Sequence, residues 1–314
     1  MFELHPYDHS REQEWNLIVD QADNNHFMFN RAYMEYHVDR FVAASFVITQ
    51  NDQVIGVIGG TRSDRKWVSH GGLTFGGLLL LPKFNRIAVI SKIYGALWRM
   101  LREAGFTHAF VKPVPWIYRN ALAEGEIYVL NASGEAHCMV EVSTAIDLQI
   151  LAKPSNLRVR GMKKALKSGY SIVQSETIDA FWEVLKARLQ EKYDCAPVHT
   201  LDEIRLLKSR FPDQIRLFAV QDSLGFVQGG TVIFETEQVA HAQYISATPE
   251  GMRQGALDLL FFEVIDHYRN AGKRYFDFGI STENDGKYLN EQLASFKEGF
   301  GGGSIVHHKF EVKL

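Results

Sequence analysis

Residues 44–61 read ASFVITQNDQVIGVIGGT, and residues 215–231 read IRLFAVQDSLGFVQGGT. In each stretch two runs rich in β-branched and aromatic residues flank a polar turn, Asn51-Asp52 in one and Asp222-Ser223 in the other, which is the pattern of a β-hairpin. Both close on the same tripeptide, Gly59-Gly60-Thr61 and Gly229-Gly230-Thr231, at a shift of 170 positions. The correspondence continues downstream of the tripeptide. A third strand-like run, KWVSHGG or QVAHAQYISA, leads to a helical pattern. The helix over residues 85–103 carries Ile90, Ile93, Leu97 and Leu101 on one face, and that over 253–270 carries Leu257, Leu260, Phe261 and Val264. Gly105 and Gly272 cap them, Ala104-Gly105 matching Ala271-Gly272 at a shift of 167, and FTHAFVKP or KRYFDFGI resumes as a strand. His70 and His241 fall on the third run at a shift of 171.

Three anchors in one order at nearly one offset read as a tandem duplication. A period near 170 residues indicates two domains, because solenoid units are about 20–50 residues long. Alternating strands and helices predict an α/β (α+β) fold in which each module is a mixed, mainly antiparallel sheet flanked by helices. The Lys-Pro break in IDLQILAKPSN places the boundary near residues 148–155, giving modules 1–150 and 151–314.

Composition narrows the class. Of 314 residues, 46% are hydrophobic and 23% charged, which suits a packed globular protein. A net charge of -3 argues against a dedicated nucleic-acid binder, which is usually strongly basic. Cys138 and Cys195 make no disulfide framework, which fits a reducing compartment, and neither has an activating neighbour in sequence. MFELHPYDHSREQEW has no basic segment followed by an apolar one, and the longest apolar stretch, LTFGGLLLLP, is shorter than a bilayer span. A soluble, cytoplasmic protein is expected. HExxH and paired CxxC motifs are absent, and His307-His308 point to opposite faces of a final strand, so no metal is expected.

Past the junction comes SNLRVRGMKKALKSG, a predicted helix over residues 155–168 with Ser155 or Asn156 as N-cap and Gly169 as C-cap. Arg160, Lys163, Lys164 and Lys167 share one face, with Arg158 to its side. Such a stripe is either a solvated surface or a polyanion site for a diphosphate, for coenzyme A phosphates or for an RNA backbone.

This helix and the adjoining SGYSIVQSE resemble the entry to the second domain of Fem-type aminoacyltransferases, within the wider GNAT-like acyltransferase superfamily. RYFDFGISTENDGKYLNEQLASFKEGFGGG is similar to the closing segment of the same family, and WVSHGGLTFGGL to a loop of acyltransferase-like proteins of bacterial surface-glycan pathways. The resemblance implies tandem GNAT-like modules performing direct acyl transfer, in which an oxyanion must be stabilised and a proton removed from the nucleophile. It implies Lys297, in the Phe-Lys context, beside the transferred group; the other reading is a surface lysine paired with Glu298 or Glu291. Asp277, at a strand end, is a candidate proton acceptor or a turn-capping carboxylate, and Tyr288 a candidate proton donor or a core tyrosine. The segment TPEGMRQGALD, leading from strand into helix, is a candidate phosphate loop through Gly251, Arg253, Gln254 and Gly255. Its spacing departs from the GNAT coenzyme A signature, since Ala256 would pair with Gly251 and Gln254. In the first module His70, Thr74 and Lys112 are candidate acceptor contacts.

The favoured expectation is an acyltransferase using acyl-CoA as co-substrate and acting on an amino sugar or nucleotide-linked precursor of cell-surface glycans. The second is a Fem-type aminoacyltransferase using aminoacyl-tRNA. Residues 181–210 have no heptads long enough for the coiled-coil arm of the larger peptidoglycan enzymes. The third is a ligand-binding protein that has lost its chemistry. Under the first two, the second module binds the donor and the first faces the acceptor.

Overall fold

The structure is a computed structural model that describes residues 2–150 and 153–314. The chain forms two units: Met1–Glu141 with Glu283–Tyr288 and Val306–Leu314, and Val142–Thr282 with Leu289–Ile305.

In the first unit β1 (Phe2–Pro6), α1 (Glu12–Gln21), α2 (Arg31–Met34) and β2 (Val42–Ala43) precede the expected hairpin of β3 (Phe46–Gln50) and β4 (Gln53–Ile58). Its turn residues Asn51 and Asp52 have φ of 49° and 61°, the left-handed values that a two-residue hairpin loop requires at both positions. Next come β5 (Gly60–Ser63), β6 (Lys66–Ser69), β7 (Leu78–Leu80), α3 (Ile87–Glu103), β8 (His108–Val111) and α4 (Gly125–Asn131). β1, β3, β4 and β7 form one antiparallel sheet, and β2, β5 and β6 pair antiparallel before β6 meets β8 in parallel. α3 buries Ile90, Ile93, Tyr94, Leu97, Trp98 and Leu101 against the core, and Gly105, with φ of 82°, ends it.

β9 (Ala136–Asp147) runs from the first unit into the second. There α5 (Asn156–Lys167), β10 (Ser171–Ser175), α6 (Asp179–Tyr193) and α7 (Leu201–Arg210) lead into β11 (Ile215–Gln221), β12 (Val227–Glu235) and β13 (Val239–Ala247). α8 (Pro249–Gln254), α9 (Ala256–Asn270) and β14 (Tyr275–Ile280) complete the main run. The short β15 (Thr282–Glu283) and β16 (Tyr288–Leu289) precede α10 (Glu291–Glu298) and β17 (Gly303–Lys313), whose last residues pair with β8. The sheet order is β10-β11-β12-β13-β14-β9, antiparallel throughout except between β13 and β14. Leu259, Leu260, Phe261 and Val264 of α9 pack on its face.

The repeat is therefore visible element by element. β3, β4–β5, β6, α3 and β8 match β11, β12, β13, α9 and β14, each ending in a parallel pair reached by a helical crossover. Three details differ from the sequence reading. The unit boundary lies at 141/142 and not near 150, because residues 143–147 pair with β14; residues 151 and 152 of the expected break lie outside the described residues. His70 and His241 are not equivalent. In the parallel ladders Lys66, Trp67 and Val68 face His108, Ala109 and Phe110, whereas Val239, Ala240 and His241 face Tyr275, Phe276 and Asp277. His241 thus matches Val68 and Asp277 matches Phe110, while His70 lies past the end of β6 with φ of 46°. Finally, TPEGMRQG is helical: Thr248 caps α8, and Gly255, with φ of 82°, separates it from α9.

Candidate functional site

In the second unit β13 and β14 pair over only three residues, and the last pair is His241 with Asp277. Asp277 is fully buried. Its Oδ1 accepts the Ser143 hydroxyl at 2.5 Å and the Gly279 N–H at 3.0 Å, while Oδ2 lies 3.0 Å from His241 Nδ1. A carboxylate is acceptor-only, so this arrangement places a proton on Nδ1 and leaves Nε2 as the basic nitrogen of the ring.

Lys297 comes to the same strand end from α10. It is 3% exposed, and its Nζ donates to the carbonyls of Gly279 at 2.8 Å and Ile280 at 2.7 Å. It pairs with neither Glu298 nor Glu291 in the hydrogen bonds it makes. Burial pulls its pKa down to about 8, with the charge of Asp277 acting the other way. α10 is anchored by Phe296 and Phe300, which meet Phe261 at ring distances of 6.2 and 5.6 Å.

Beside the fork β13 carries a bulge: Val232 faces Tyr244 and Ile233 faces Ala242, so Gln243 is the extra residue. Gln243 Oε1, Ser246 Oγ and Thr231 Oγ1 are buried and have no hydrogen-bond partner among the described residues. The Tyr244 hydroxyl is hydrogen-bonded to His199 Nδ1, and Trp182 packs edge-on to the Tyr244 ring at 5.0 Å. Buried polar atoms without partners are uncommon in folded proteins, and here they gather on two adjacent strands next to a proton-bearing pair.

The candidate phosphate segment has a different character. Arg253 is exposed and paired with Glu250, and Gln254 donates to Glu250 at 2.7 Å. Asp258 stands in the first turn of α9, ion-paired with Arg158 at 2.6 Å, and burial raises its pKa to about 6. α5 packs directly over this turn. A Cβ added at Gly161 would collide with the Asp258 carboxylate, and one added at Gly255 with the Gly161 carbonyl. Lys164 donates to the Arg253 carbonyl at 2.6 Å. Arg160, Lys163 and Lys167 are exposed on α5.

The remaining candidates lie in the first unit. His70 is buried, Thr74 and Lys112 are half-buried, and the loop returns along β8 through a 2.6 Å hydrogen bond from Gly76 N–H to the Lys112 carbonyl. Tyr288 is 57% exposed and groups with the first unit, so it is not a core tyrosine. Cys138 is half-buried with its thiol pushed up by burial, and Cys195 is exposed. Sequence reading did not single out His241 or Ser143 as site residues. His241 was visible only as an anchor of the repeat, and Ser143 lies 134 residues from its partner.

A fork between parallel strands, with a proton-carrying histidine–carboxylate pair and a buried ammonium, can accept a proton and stabilise an oxyanion in one place. Comparison with known proteins agrees in kind. The profile of the acetyltransferase (GNAT) domain family matches residues 156–288. The crystal structure of FemX superimposes with a TM-score of 0.66 at 11% identity, covering 99% of this chain and 97% of FemX. The C-terminal domain of a putative lysylphosphatidylglycerol synthetase from Agrobacterium fabrum gives 0.64 at 13% identity over 97% and 92% of the two chains. A tandem GNAT protein from the clavulanic acid biosynthesis pathway gives 0.55 at 13% over 100% and 98%. No curated protein matches the sequence. Among the described residues no helix is long and apolar enough to cross a membrane. Residues 156–288 thus match an acetyltransferase (GNAT) domain, and the chain, built from tandem modules, has the fold of FemX and of the tandem GNAT protein.

Proposed function

We propose that the second unit transfers an acyl group from an aminoacyl ester, as carried by tRNA, to an amine of a sugar-like acceptor in cell-surface glycan assembly. The observation that carries the choice of donor is the turn at the start of α9. Coenzyme A binding would need open amides there for its diphosphate. Instead the Asp258 carboxylate occupies the turn and Gly161 of α5 closes it. A diphosphate brought against a carboxylate in a half-buried setting is repelled. This favours the aminoacyl-ester donor over the acyl-CoA donor expected from sequence. FemX and the lysylphosphatidylglycerol synthetase domain also match with higher TM-scores, 0.66 and 0.64, than the 0.55 of the tandem GNAT protein. The cations Arg160, Lys163 and Lys167 suit an RNA backbone, and the acceptor class rests on the surface-glycan resemblance of residues 67–78.

In this reading the acceptor amine attacks the ester carbonyl, the C–N bond forms, and the ester C–O bond breaks. His241 Nε2 takes the amine proton while Asp277 holds the resulting imidazolium. The Lys297 ammonium faces the developing oxyanion, and the proton on His241 passes to the departing ribose oxygen. Tyr288 has no part in this scheme.

The test is donor competition on the purified full chain. RNase-sensitive incorporation of labelled amino acid from charged tRNA into an amino-sugar acceptor is expected. Acetyl-CoA should leave the melting temperature unchanged. Saturable stabilisation by acetyl-CoA, with RNase-insensitive transfer, would return the donor to coenzyme A.

A further inference from the structure

The turn of the β11–β12 hairpin is built by Asp222 and Gly225. Asp222 Oδ1 accepts the N–H groups of Leu224 and Phe226 at 2.9 and 3.0 Å, its Oδ2 accepts Gln228 Nε2 at 2.8 Å, and Gly225 takes a φ of 83°. Nothing in that turn requires a large apolar side chain at Leu224 or Phe226, where a polar residue would serve as well. Yet Leu224 is 79% exposed and Phe226 66%. The equivalent hairpin of the first unit ends in Gln50, Asn51, Asp52 and Gln53, polar throughout. Two large apolar side chains held in solvent on one hydrogen-bonded tip, and absent from the duplicate, mark a contact surface.

The tip adjoins the basic helix. Ser171, the first residue of β10, pairs with Gln221, and a Cβ added at Gly169 would lie 3.5 Å from the Ser223 Cβ, so the chain leaving α5 runs against the tip. The last two turns of α5 present Leu166, 53% exposed, together with the exposed Arg160, Lys163 and Lys167. Asp222 and Glu250, the acids close to Tyr170 at this edge, are already engaged, the first in the turn and the second with Arg253 and Gln254.

A cationic face suits any polyanion, RNA included, but an aliphatic tip gains little from a phosphate backbone. A bilayer with anionic headgroups takes both. We propose that the second unit docks on an anionic lipid bilayer by this edge. Leu224 and Phe226 enter the boundary between headgroups and acyl chains, and Arg160, Lys163 and Lys167 lie against the headgroups. β11, β13 and β14 all run toward this edge, with Ala247 at the end of β13 opposite Gly229. Docking therefore brings the strand ends beyond the His241–Asp277 pair to the lipid surface. The proposal goes beyond the reaction above and does not depend on its donor.

Flotation of the full chain with phosphatidylcholine vesicles, with and without phosphatidylglycerol, tests it. Saturable binding to the vesicles that contain phosphatidylglycerol is expected, weakening about tenfold or more at high salt. The double variant Leu224→Ser, Phe226→Ser should melt at the wild-type temperature, since both side chains lie mostly in solvent. It should bind those vesicles about tenfold or more weaker, because each apolar side chain withdrawn from water contributes to docking. Phe226→Trp puts a reporter on the tip: relative to wild type, its added emission should shift to the blue on binding and be quenched by lipids brominated on the acyl chain. No binding to phosphatidylglycerol vesicles, equal binding by the double variant, or a tip tryptophan beyond the reach of brominated lipid would each overturn the proposal. So would a double variant that loses affinity for charged tRNA and keeps its vesicle binding, which would give the tip to RNA. None of these readouts involves acyl transfer, so failure here is distinguishable from failure of the proposed reaction.

Discussion

Replacing Lys297 with methionine separates what the lysine does for the fold from what it does for the reaction. Its pKa falls from 10.5 to about 8 on folding, which corresponds to about 3 kcal/mol carried by the buried charged form. Methionine removes that penalty and keeps most of the packing volume. It also leaves the carbonyls of Gly279 and Ile280 without their donor, at about 1–3 kcal/mol each. The two effects oppose each other, so the variant should fold at pH 7 with a stability within a few kcal/mol of wild type. The pH dependence is sharper. Between pH 8 and 10.5 the unfolded chain holds the Lys297 proton and the folded chain has released it. Wild-type stability should therefore rise with pH relative to the variant, by up to about 1.4 kcal/mol per unit, and the two should run parallel below about pH 8. Transfer should fall about 10²–10³-fold in kcat, as for loss of one oxyanion donor. Urea unfolding from about pH 7 to 10 and steady-state rates with charged tRNA measure both. Parallel stability curves across that whole range would show that the ammonium is not held in a desolvated site. A kcat within about threefold of wild type would remove Lys297 from the reaction.

His241→Gln should lower kcat by about 10²–10⁴ while leaving the melting temperature nearly unchanged, and Asp277→Asn should do the same by turning the ring to its other tautomer, seen by ¹⁵N NMR of the histidine side chain. Asp258, whose pKa is raised to about 6, favours the folded state most below its unfolded value and loses that contribution as pH rises through about 6; Asp258→Asn should abolish this slope in urea midpoints between about pH 4 and 7. Gly60→Ala would drive a methyl group into the Trp67 indole, whose Nε1 donates to the Ala44 carbonyl at 2.8 Å; a loss of about 1–3 kcal/mol is expected by denaturant unfolding, with a red-shifted tryptophan emission. Unchanged stability in that variant would mean the β5–β6 packing is looser than described.

The duplication was legible in the chain itself. Hairpin turns, Gly-Gly-Thr tripeptides, amphipathic helices and their glycine caps are local features, decided by residues within one or two turns of each other. They located α3, α9, the β3–β4 and β11–β12 hairpins and the basic helix α5 to within a few residues. Lys297 and Asp277 were also visible, because their surrounding segment resembles a known family. What sequence could not supply was the pairing of distant residues. Ser143, His241 and Asp277 become one cluster only when β9, β13 and β14 lie side by side, and the register of those ladders decides that His241 meets Asp277 while Val68 meets Phe110.

The same reason explains the misreadings. His70 and His241 share an offset in sequence, but the parallel ladders align His241 with Val68, and His70 lies two residues further on, past the end of β6. TPEGMRQG has the glycines of a phosphate loop, yet whether its amides are open depends on α5, which packs on it from about a hundred residues upstream, as the Arg158–Asp258 pair records. Local chemistry thus determined the elements and their repetition. Tertiary packing decided which polar groups lost water together, and burial is what lowers the pKa of Lys297 to about 8 at the strand end that holds Asp277.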